Sequence, residues 1–175
     1  MHLYDFNAAS TADSGAVARV WADVPGWVDA VVAGRPYADV DALAAHAGDL
    51  ASAWSPDDLE AALDAHPRIG AKVAGDGAEA AASRREQGSM ASAADDDVAA
   101  IAAGNAAYEE RFGRVFLIRA AGRTPGEMRA ELERRLSNDP DSETIEATRQ
   151  LAEIALLRLR TTFADDSPAE PEAAE

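Results

Sequence analysis

The stretch that decides the fold class is DSETIEATRQLAEIALLRLRTTF, residues 141–163. Glu146 and Glu153 fall on one side of a helix drawn through this stretch. Leu151 and Ile154 fall on the other side, which is typical of an amphipathic helix that packs against a core. The same spacing, with abundant alanine, recurs over most of the chain and predicts an all-α protein. We expect a single-domain helical bundle of about seven to nine helices over residues 1–164.

Capping residues and helix breakers set the predicted boundaries of the other helices. Ser55, followed by Pro56 and two aspartates, is typical of a helix start, and the helix that it begins leads to His66. Thr124 begins another helix in the same way, with a glutamate three residues later. Apolar spacing predicts the remaining helices at about residues 11–21, 27–34, 40–53, 78–90 and 95–112.

Two stretches depart from the helical pattern. The run from Val115 to Ile118 favours β-structure, and its length fits either a lone extended segment or one turn of buried helix. One strand cannot form a sheet, so its backbone amides and carbonyls would be available to a ligand. Residues 165–175 combine acidic residues and prolines without an aromatic side chain, which predicts a disordered acidic tail.

The charge of the chain excludes two classes of partner. It carries 16 basic and 32 acidic side chains, a net charge of −16. Such a charge repels phosphates and anionic lipid surfaces, so we expect neither nucleic acid nor membrane as a partner. Lys72 is the only lysine, and acidic residues recur along the whole chain. This halophile-like acidic surface fits a high-salt habitat, and a GC-rich genome that favours alanine, arginine, glycine and aspartate codons explains it equally well.

The residue types that are missing narrow the chemistry further. The chain has no cysteine, which excludes disulfides, thiolate nucleophiles and sulfur-ligated metals and fits a reducing compartment. No segment approaches the roughly 18 uncharged apolar residues of a membrane span, and no signal peptide is visible. Three scattered histidines without a His-x-x-x-His pattern predict no metal site. We expect a cytoplasmic protein with a small-molecule substrate.

One imidazole and one helix-borne carboxylate make an enzyme the leading interpretation. Pro67 disfavours the helical conformation for the residue before it, so His66 should end a helix and face an irregular loop. Ser83, Glu86 and Gln87 stand at i, i+3 and i+4 and share one face of a helix. A simpler interpretation exists for three of these residues. His66 could merely cap a helix, Glu86 could pair with a neighbouring arginine, and Ser83 could be an ordinary surface residue.

Arg158 is the second indication of a functional site. It lies on the apolar side of the last predicted helix, where Ile154 and Ala155 occupy the positions one turn earlier. Its guanidinium therefore needs a carboxylate or a ligand anion from elsewhere in the fold. The alternative is an arginine at the edge of the apolar face whose charged end reaches water.

The order of these motifs resembles the 2-oxo-4-hydroxy-4-carboxy-5-ureidoimidazoline (OHCU) decarboxylases of urate breakdown, over about residues 15 to 163. The motifs, in chain order, are His66-Pro67, Ser83-x-x-Glu86-Gln87, Asn105-x-x-Tyr108-x-x-Arg111-Phe112-Gly113-x-x-Phe116-x-Ile118 and Leu157-Arg158-Leu159, with Arg35-Pro36-Tyr37 as a further similar element. Two segments depart from the usual pattern, Arg68-Ile69-Gly70 and Gly88-Ser89-Met90. Both concern the rim of the pocket.

The resemblance implies an all-α fold, a homodimer and a decarboxylation that needs no cofactor and gives (S)-allantoin. It implies that His66 is the catalytic acid/base, that Glu86 is its partner near the substrate hydroxyl, and that Arg158 anchors substrate oxygens. The other residues that the resemblance places against the substrate are Pro67, Ser83, Gln87, Phe116 and Ile118.

Two other functions fit the same sequence. The first is a helical interaction module whose acidic face docks a partner. The second is a lyase or hydrolase that acts on a related ureido acid.

Overall fold

The computed structural model describes residues 1–63 and 66–164, and this part of the chain is helical without a strand. The predicted all-α fold is therefore confirmed. The helices are α1 (Leu3–Ala8), α2 (Thr11–Trp21), α3 (Pro25–Ala33), α4 (Val40–Ala51), α5 (Pro56–Leu63), α6 (Ala78–Glu86), a short 3₁₀ helix (Gly88–Ser92), α7 (Asp95–Phe112), α8 (Pro125–Arg135) and α9 (Pro140–Thr162). The predicted tail at 165–175 lies outside the described residues.

Helix α9 is the centre of the larger of two hydrophobic cores. It packs against α2, α4 and α5, and its predicted apolar side, including Leu151 and Ile154, is buried. Trp21, Phe6 and Phe163 meet there with ring centroids 5.4–5.9 Å apart. Burying a large apolar side chain contributes roughly 1.5–3 kcal/mol, so this cluster fixes the position of α9.

The second core lies between α7, α8 and the run at 115–118. This run is neither helix nor strand, so the turn of buried helix that the sequence left open is wrong. Phe116 and Ile118 are buried in this core. Arg135 of α8 donates to the Leu117 carbonyl oxygen at 2.7 Å and lies over the Phe116 ring. The Leu117 carbonyl is thus already bonded, in contrast to the expectation that the backbone of this run is available to a ligand.

A buried ion pair connects this core to α9. The Nε of Arg135 donates to Glu143 Oε1 at 2.9 Å, and neither side chain is exposed. The Tyr108 hydroxyl also donates to Glu143, and its own pKa is raised, chiefly by burial and then by that hydrogen bond. Groups from α7 and α8 therefore converge on one buried carboxylate of α9.

Helix α1 was not predicted from the sequence. Its Leu3 and Phe6 are buried, and the Nη1 of Arg35 donates to the carbonyl oxygens of Phe6 at 2.7 Å and Ala9 at 2.9 Å. Six residues are too few for helical periodicity to be read, so tertiary contacts supply the stability of this helix.

Helix α6 is shorter than predicted. It was expected to run to residue 90 and ends at Glu86, because the chain tightens into the 3₁₀ helix that starts at Gly88. Glycine is a weak helix former and favours such a change. The change leaves Glu86 in the last turn of α6.

Candidate active site

His66 lies in the chain segment between α5 and α6. Its Nδ1 is 2.8 Å from the carbonyl oxygen of Ala62. A carbonyl only accepts, so Nδ1 carries the hydrogen and Nε2 of the neutral ring is an unprotonated acceptor. Nε2 is buried and has no hydrogen-bond partner among the described residues. The ring thus caps a helix end, as the simpler interpretation holds, and presents a base at the same time.

His66 lines a cavity with a volume of about 580 Å³. Ligand pockets commonly span about 300–1,000 Å³, so a five-membered heterocycle with substituents fits. Residues from four segments form its wall: Leu63, His66, Pro67, Arg68, Ala71, Lys72, Val73, Ala74, Glu79, Ala80, Ser83 and Val115. Three of the predicted site residues, His66, Pro67 and Ser83, are therefore brought together here.

Arg158 is buried and hydrogen-bonded to Glu86, Ser83 and the Val20 carbonyl oxygen. Its Nε donates to Glu86 Oε1 at 2.7 Å and its Nη2 to Glu86 Oε2 at 3.0 Å, a bidentate pair. Nη2 also donates to Ser83 Oγ at 3.1 Å, and Nη1 donates to the Val20 carbonyl oxygen at 3.1 Å. The expectation that Arg158 takes a carboxylate from elsewhere in the fold is confirmed. The alternative of an arginine reaching water is wrong, because the residue is only 4% exposed.

Ser83 connects the two halves of the predicted site. Its side chain lines the cavity of His66 and its hydroxyl oxygen accepts from Arg158. Glu86 and Arg158 themselves line a neighbouring cavity of about 200 Å³. The hydrogen bonds of Glu86 go to Arg158, and none joins Glu86 to His66 within the described residues. Glu86 therefore acts on His66 electrostatically, by raising the pKa of the imidazole.

Burial sets the protonation state of His66. It lowers the pKa of the ring, and the positive charge of Arg158 lowers it further. The hydrogen bond to Ala62 and the negative charge of Glu86 act in the opposite direction, with a smaller total effect. The imidazole is therefore neutral at pH 7 and its Nε2 can accept a proton.

Three side chains hold the loop that follows His66. Asn105 Nδ2 donates to the Ile69 carbonyl oxygen at 2.9 Å, and the amide of Gly70 donates to Gln87 Oε1 at 3.1 Å. Arg68 forms a bidentate pair with Glu109, with Nη2 to Oε2 at 2.8 Å. Gln87 thus bonds to the loop, and its predicted contact with substrate stays a prediction.

Phe116 and Ile118 lie in the second core and are almost fully buried. Neither side chain is among those that line the cavity of His66. Their predicted contact with a ligand also stays a prediction.

Two residues of the cavity wall were not singled out from the sequence. Glu79 stands four residues before Ser83 on α6, so helical spacing was a signal that pointed to it. Burial raises the pKa of its carboxyl group, and Asp23 and Glu86 raise it further, whereas Arg158 lowers it. Lys72 had a compositional signal, since it is the single lysine.

Two further features of the described residues bear on the chemistry. No three histidine, cysteine, aspartate or glutamate side chains in 1–63 and 66–164 cluster closely enough to hold a metal ion. In the same residues, no helix combines the length and the hydropathy needed to cross a bilayer.

Comparison with known proteins gives one consistent result. Residues 7–160 match the family described as OHCU decarboxylase. A protein of Amia calva named 2-oxo-4-hydroxy-4-carboxy-5-ureidoimidazoline decarboxylase is 33% identical over 133 residues, which are 75% of this chain and 76% of that protein.

Solved structures agree with the sequence matches. A crystal structure of OHCU decarboxylase in the presence of (S)-allantoin superposes with a TM-score of 0.71 at 25% identity, covering 84% of this chain and 96% of that one. A crystal structure of (S)-allantoin synthase gives a TM-score of 0.66 at 19% identity, covering 92% of this chain and 54% of that one. The second similarity concerns the fold alone.

Proposed function

The chain belongs to the OHCU decarboxylase family, and from this premise we propose that it converts 2-oxo-4-hydroxy-4-carboxy-5-ureidoimidazoline to (S)-allantoin and CO2 in the cavity of His66. It is a carboxy-lyase of urate degradation. The observation that carries the proposal is the buried, unpaired Nε2 of His66 in a cavity whose wall also contains Ser83. The family match spans all the residues that build this wall.

The substrate supplies the electron sink for its own decarboxylation. When the bond to the carboxylate breaks, its electron pair forms a double bond to the neighbouring ring carbon. The C=N double bond at that carbon shifts its electrons onto nitrogen, which takes a proton. The hydroxyl then loses its proton to become a carbonyl, and the neighbouring carbon gains a proton. Because the ring itself accepts the electron pair of the broken bond, the protein has to orient the carboxylate relative to the ring and to move protons.

His66 is the group that moves protons in this proposal. Its neutral Nε2 accepts the hydroxyl proton, and the resulting imidazolium returns a proton to one face of the ring carbon. The bond from Nδ1 to Ala62 fixes the ring orientation and the tautomer throughout. Delivery from one side gives a single enantiomer of the product.

Arg158, Glu86 and Ser83 form a fixed polar unit behind the ring. Because Glu86 neutralises Arg158, the arginine can stay buried beside the cavity without lowering the pKa of His66 as far as an unpaired cation would. In our proposal Ser83 donates its hydroxyl hydrogen to a substrate oxygen while its oxygen accepts from Arg158. Arg158 then anchors the substrate, as the resemblance implied, through Ser83 and through the remaining N–H group of its own guanidinium.

We also propose that two chains associate as a homodimer and act in the cytoplasm. The resemblance to the family supports this association, whereas a single exposed apolar side chain such as Ile145, at 73% exposure, does not by itself mark an interface. Sedimentation equilibrium at several protein concentrations tests the stoichiometry, since a homodimer has twice the 18.3 kDa mass of the chain.

Product analysis tests the proposed reaction. Freshly generated substrate, made from urate, is mixed with the protein, and CO2 and the circular dichroism of the product are followed. The proposal predicts CO2 together with enantiomerically pure (S)-allantoin. An interaction module leaves the slow spontaneous decay unchanged, and a lyase or hydrolase for another ureido acid gives no excess of one allantoin enantiomer. Either result overturns the proposal.

A further inference from the structure

The substrate is an anion, and this protein carries a net charge of −16. Long-range repulsion therefore opposes the encounter unless a cation stands at the cavity. The cavity wall also contains Glu79, which adds negative charge whenever its carboxyl group is ionised. A positive group near the entrance would offset both effects.

Three arginines at or near the cavity are already engaged. Arg158 is neutralised by Glu86 in a bidentate pair. Arg68 is paired in the same way with Glu109. Arg84 donates from Nη1 to the Gly75 carbonyl oxygen at 2.7 Å, and so holds the loop at 71–77.

Lys72 differs from these arginines. It lines the cavity of His66, it is exposed, and within residues 1–63 and 66–164 no ion pair or hydrogen bond of its ammonium group is found. The loop on which it stands is held on both sides, by Arg84 and by the bond from the Ala71 amide to the Arg68 carbonyl oxygen at 3.1 Å. It is also the single lysine among 16 basic residues.

We propose that Lys72 captures the carboxylate of the substrate at the mouth of the cavity and selects for the anionic compound. This inference rests on the proposed function and names a specificity residue for it. An ammonium group on a flexible stem is a hydrated point charge that attracts an anion without holding it rigidly. Such a loose contact suits a carboxylate that leaves as neutral CO2, because a tight ion pair would stabilise the ground state more than the transition state.

The first test compares Lys72→Gln with Lys72→Arg and with Arg149→Gln. Arg149 lies on α9 with 66% of its side chain exposed, is not part of the cavity wall, and gives the same change of net charge. At low salt we expect Lys72→Gln to raise KM about tenfold with kcat within about twofold, an effect that shrinks towards 1 M salt. Lys72→Arg and Arg149→Gln should keep the KM of the wild type.

Equal KM changes in Lys72→Gln and Arg149→Gln would overturn the proposal, since they would reflect net charge alone. An unchanged KM in Lys72→Gln would overturn it as well.

The second test does not depend on turnover. Lys72 is the single lysine of the chain. Acylation followed by peptide mass spectrometry therefore reports on the lysine side chain of this residue alone. The α-amine of Met1 serves as the internal control. Hydantoin-5-acetate should protect Lys72 and not Met1, whereas uncharged hydantoin should protect neither. Equal labelling with both compounds would overturn the assignment of Lys72. If the wild type shows no turnover, the proposed function fails, and protection decides the role of Lys72 by itself.

Discussion

At the scale of single residues, the sequence indicated which chemical groups matter but not how they pair. Arg158 lacks an acidic partner one turn earlier on its own helix, and this predicted a carboxylate from elsewhere. The partner is Glu86, 72 residues away in the chain. Helical periodicity relates residues within one helix and carries no information across such a distance. The family resemblance implied that Glu86 is the partner of His66, whereas among the described residues Glu86 bonds to Arg158 and no hydrogen bond joins it to His66.

The pH dependence of kcat/KM follows from the buried ring of His66. Burial lowers its pKa below the usual value of 6.5, so the free enzyme keeps a neutral base at pH 7 and loses it only in acid. We expect kcat/KM to be constant through neutrality and to fall with a midpoint below pH 6.5. His46→Asn should show the same profile as the wild type. A midpoint at or above pH 6.5 would contradict the assignment of His66.

The same shift makes a prediction for stability, and its sign can be worked out. The unfolded chain binds a proton at this residue below about pH 6.5, whereas the folded chain does so only at lower pH. This group's contribution to the free energy of unfolding is therefore present above pH 6.5 and is lost as the pH falls. In urea titrations, the free energy of unfolding of the wild type should therefore fall more steeply below pH 6.5 than that of His66→Asn.

Removing Glu86 tests the ion pair with Arg158. Glu86→Ala leaves a guanidinium buried without a carboxylate, which typically costs about 3–5 kcal/mol of unfolding free energy, and turnover should be lost. Adding Arg158→Met to this variant should restore much of the stability but none of the activity. Chemical denaturation and the coupled assay measure the two quantities. A Glu86→Ala protein as stable as the wild type would contradict the geometry of the pair.

At the scale of helices and segments, capping chemistry made most boundaries predictable. Ser10 Oγ accepts from the Asp13 amide at 3.1 Å, and Thr124 forms a complete capping box with Glu127. These contacts span three residues and are visible in the sequence. Helix α1 and the end of α6 depend on distant contacts or on a change of helix type, and no local pattern encodes them.

The non-helical run at 115–118 depends on the buried pair of Arg135 and Glu143. Glu143→Ala should lower the free energy of unfolding by about 3–5 kcal/mol, because it leaves Arg135 uncompensated in the core. Glu133→Ala is the matched control, since Glu133 is 61% exposed and pairs with Arg129 on the surface. Its effect should stay within about 1 kcal/mol. Equal losses in the two variants, measured by urea unfolding, would contradict the structural role of the buried pair.

At the scale of the whole molecule, fold class and chemistry were predictable, while the arrangement of cavities was not. Helical spacing and the absence of cysteine are properties of the chain itself. The cavity of His66 arises where α5, α6, the loop at 66–77 and the start of the run at 115–118 meet, and its wall depends on how these elements pack. That residues 1–164 form a single domain stays a prediction, and one cooperative thermal transition would support it.

The net charge of −16 predicts a salt effect on catalysis. Raising the salt concentration from about 10 mM to about 1 M shortens the Debye length from about 30 Å to about 3 Å and screens the repulsion of the anionic substrate. We expect KM to fall over this range, with kcat nearly constant and helical circular dichroism unchanged. A flat KM in a folded protein would show that the surface charge plays no part in substrate capture.

The central claim is that His66 moves the protons of a stereospecific decarboxylation. The most direct test is the rate of (S)-allantoin formation by His66→Asn, with His46→Asn as the control. We predict a loss of about 10²–10⁴-fold in kcat for His66→Asn, with helical content intact, and wild-type rates for the control. Formation of enantiomerically pure (S)-allantoin by His66→Asn at the wild-type rate would contradict the claim.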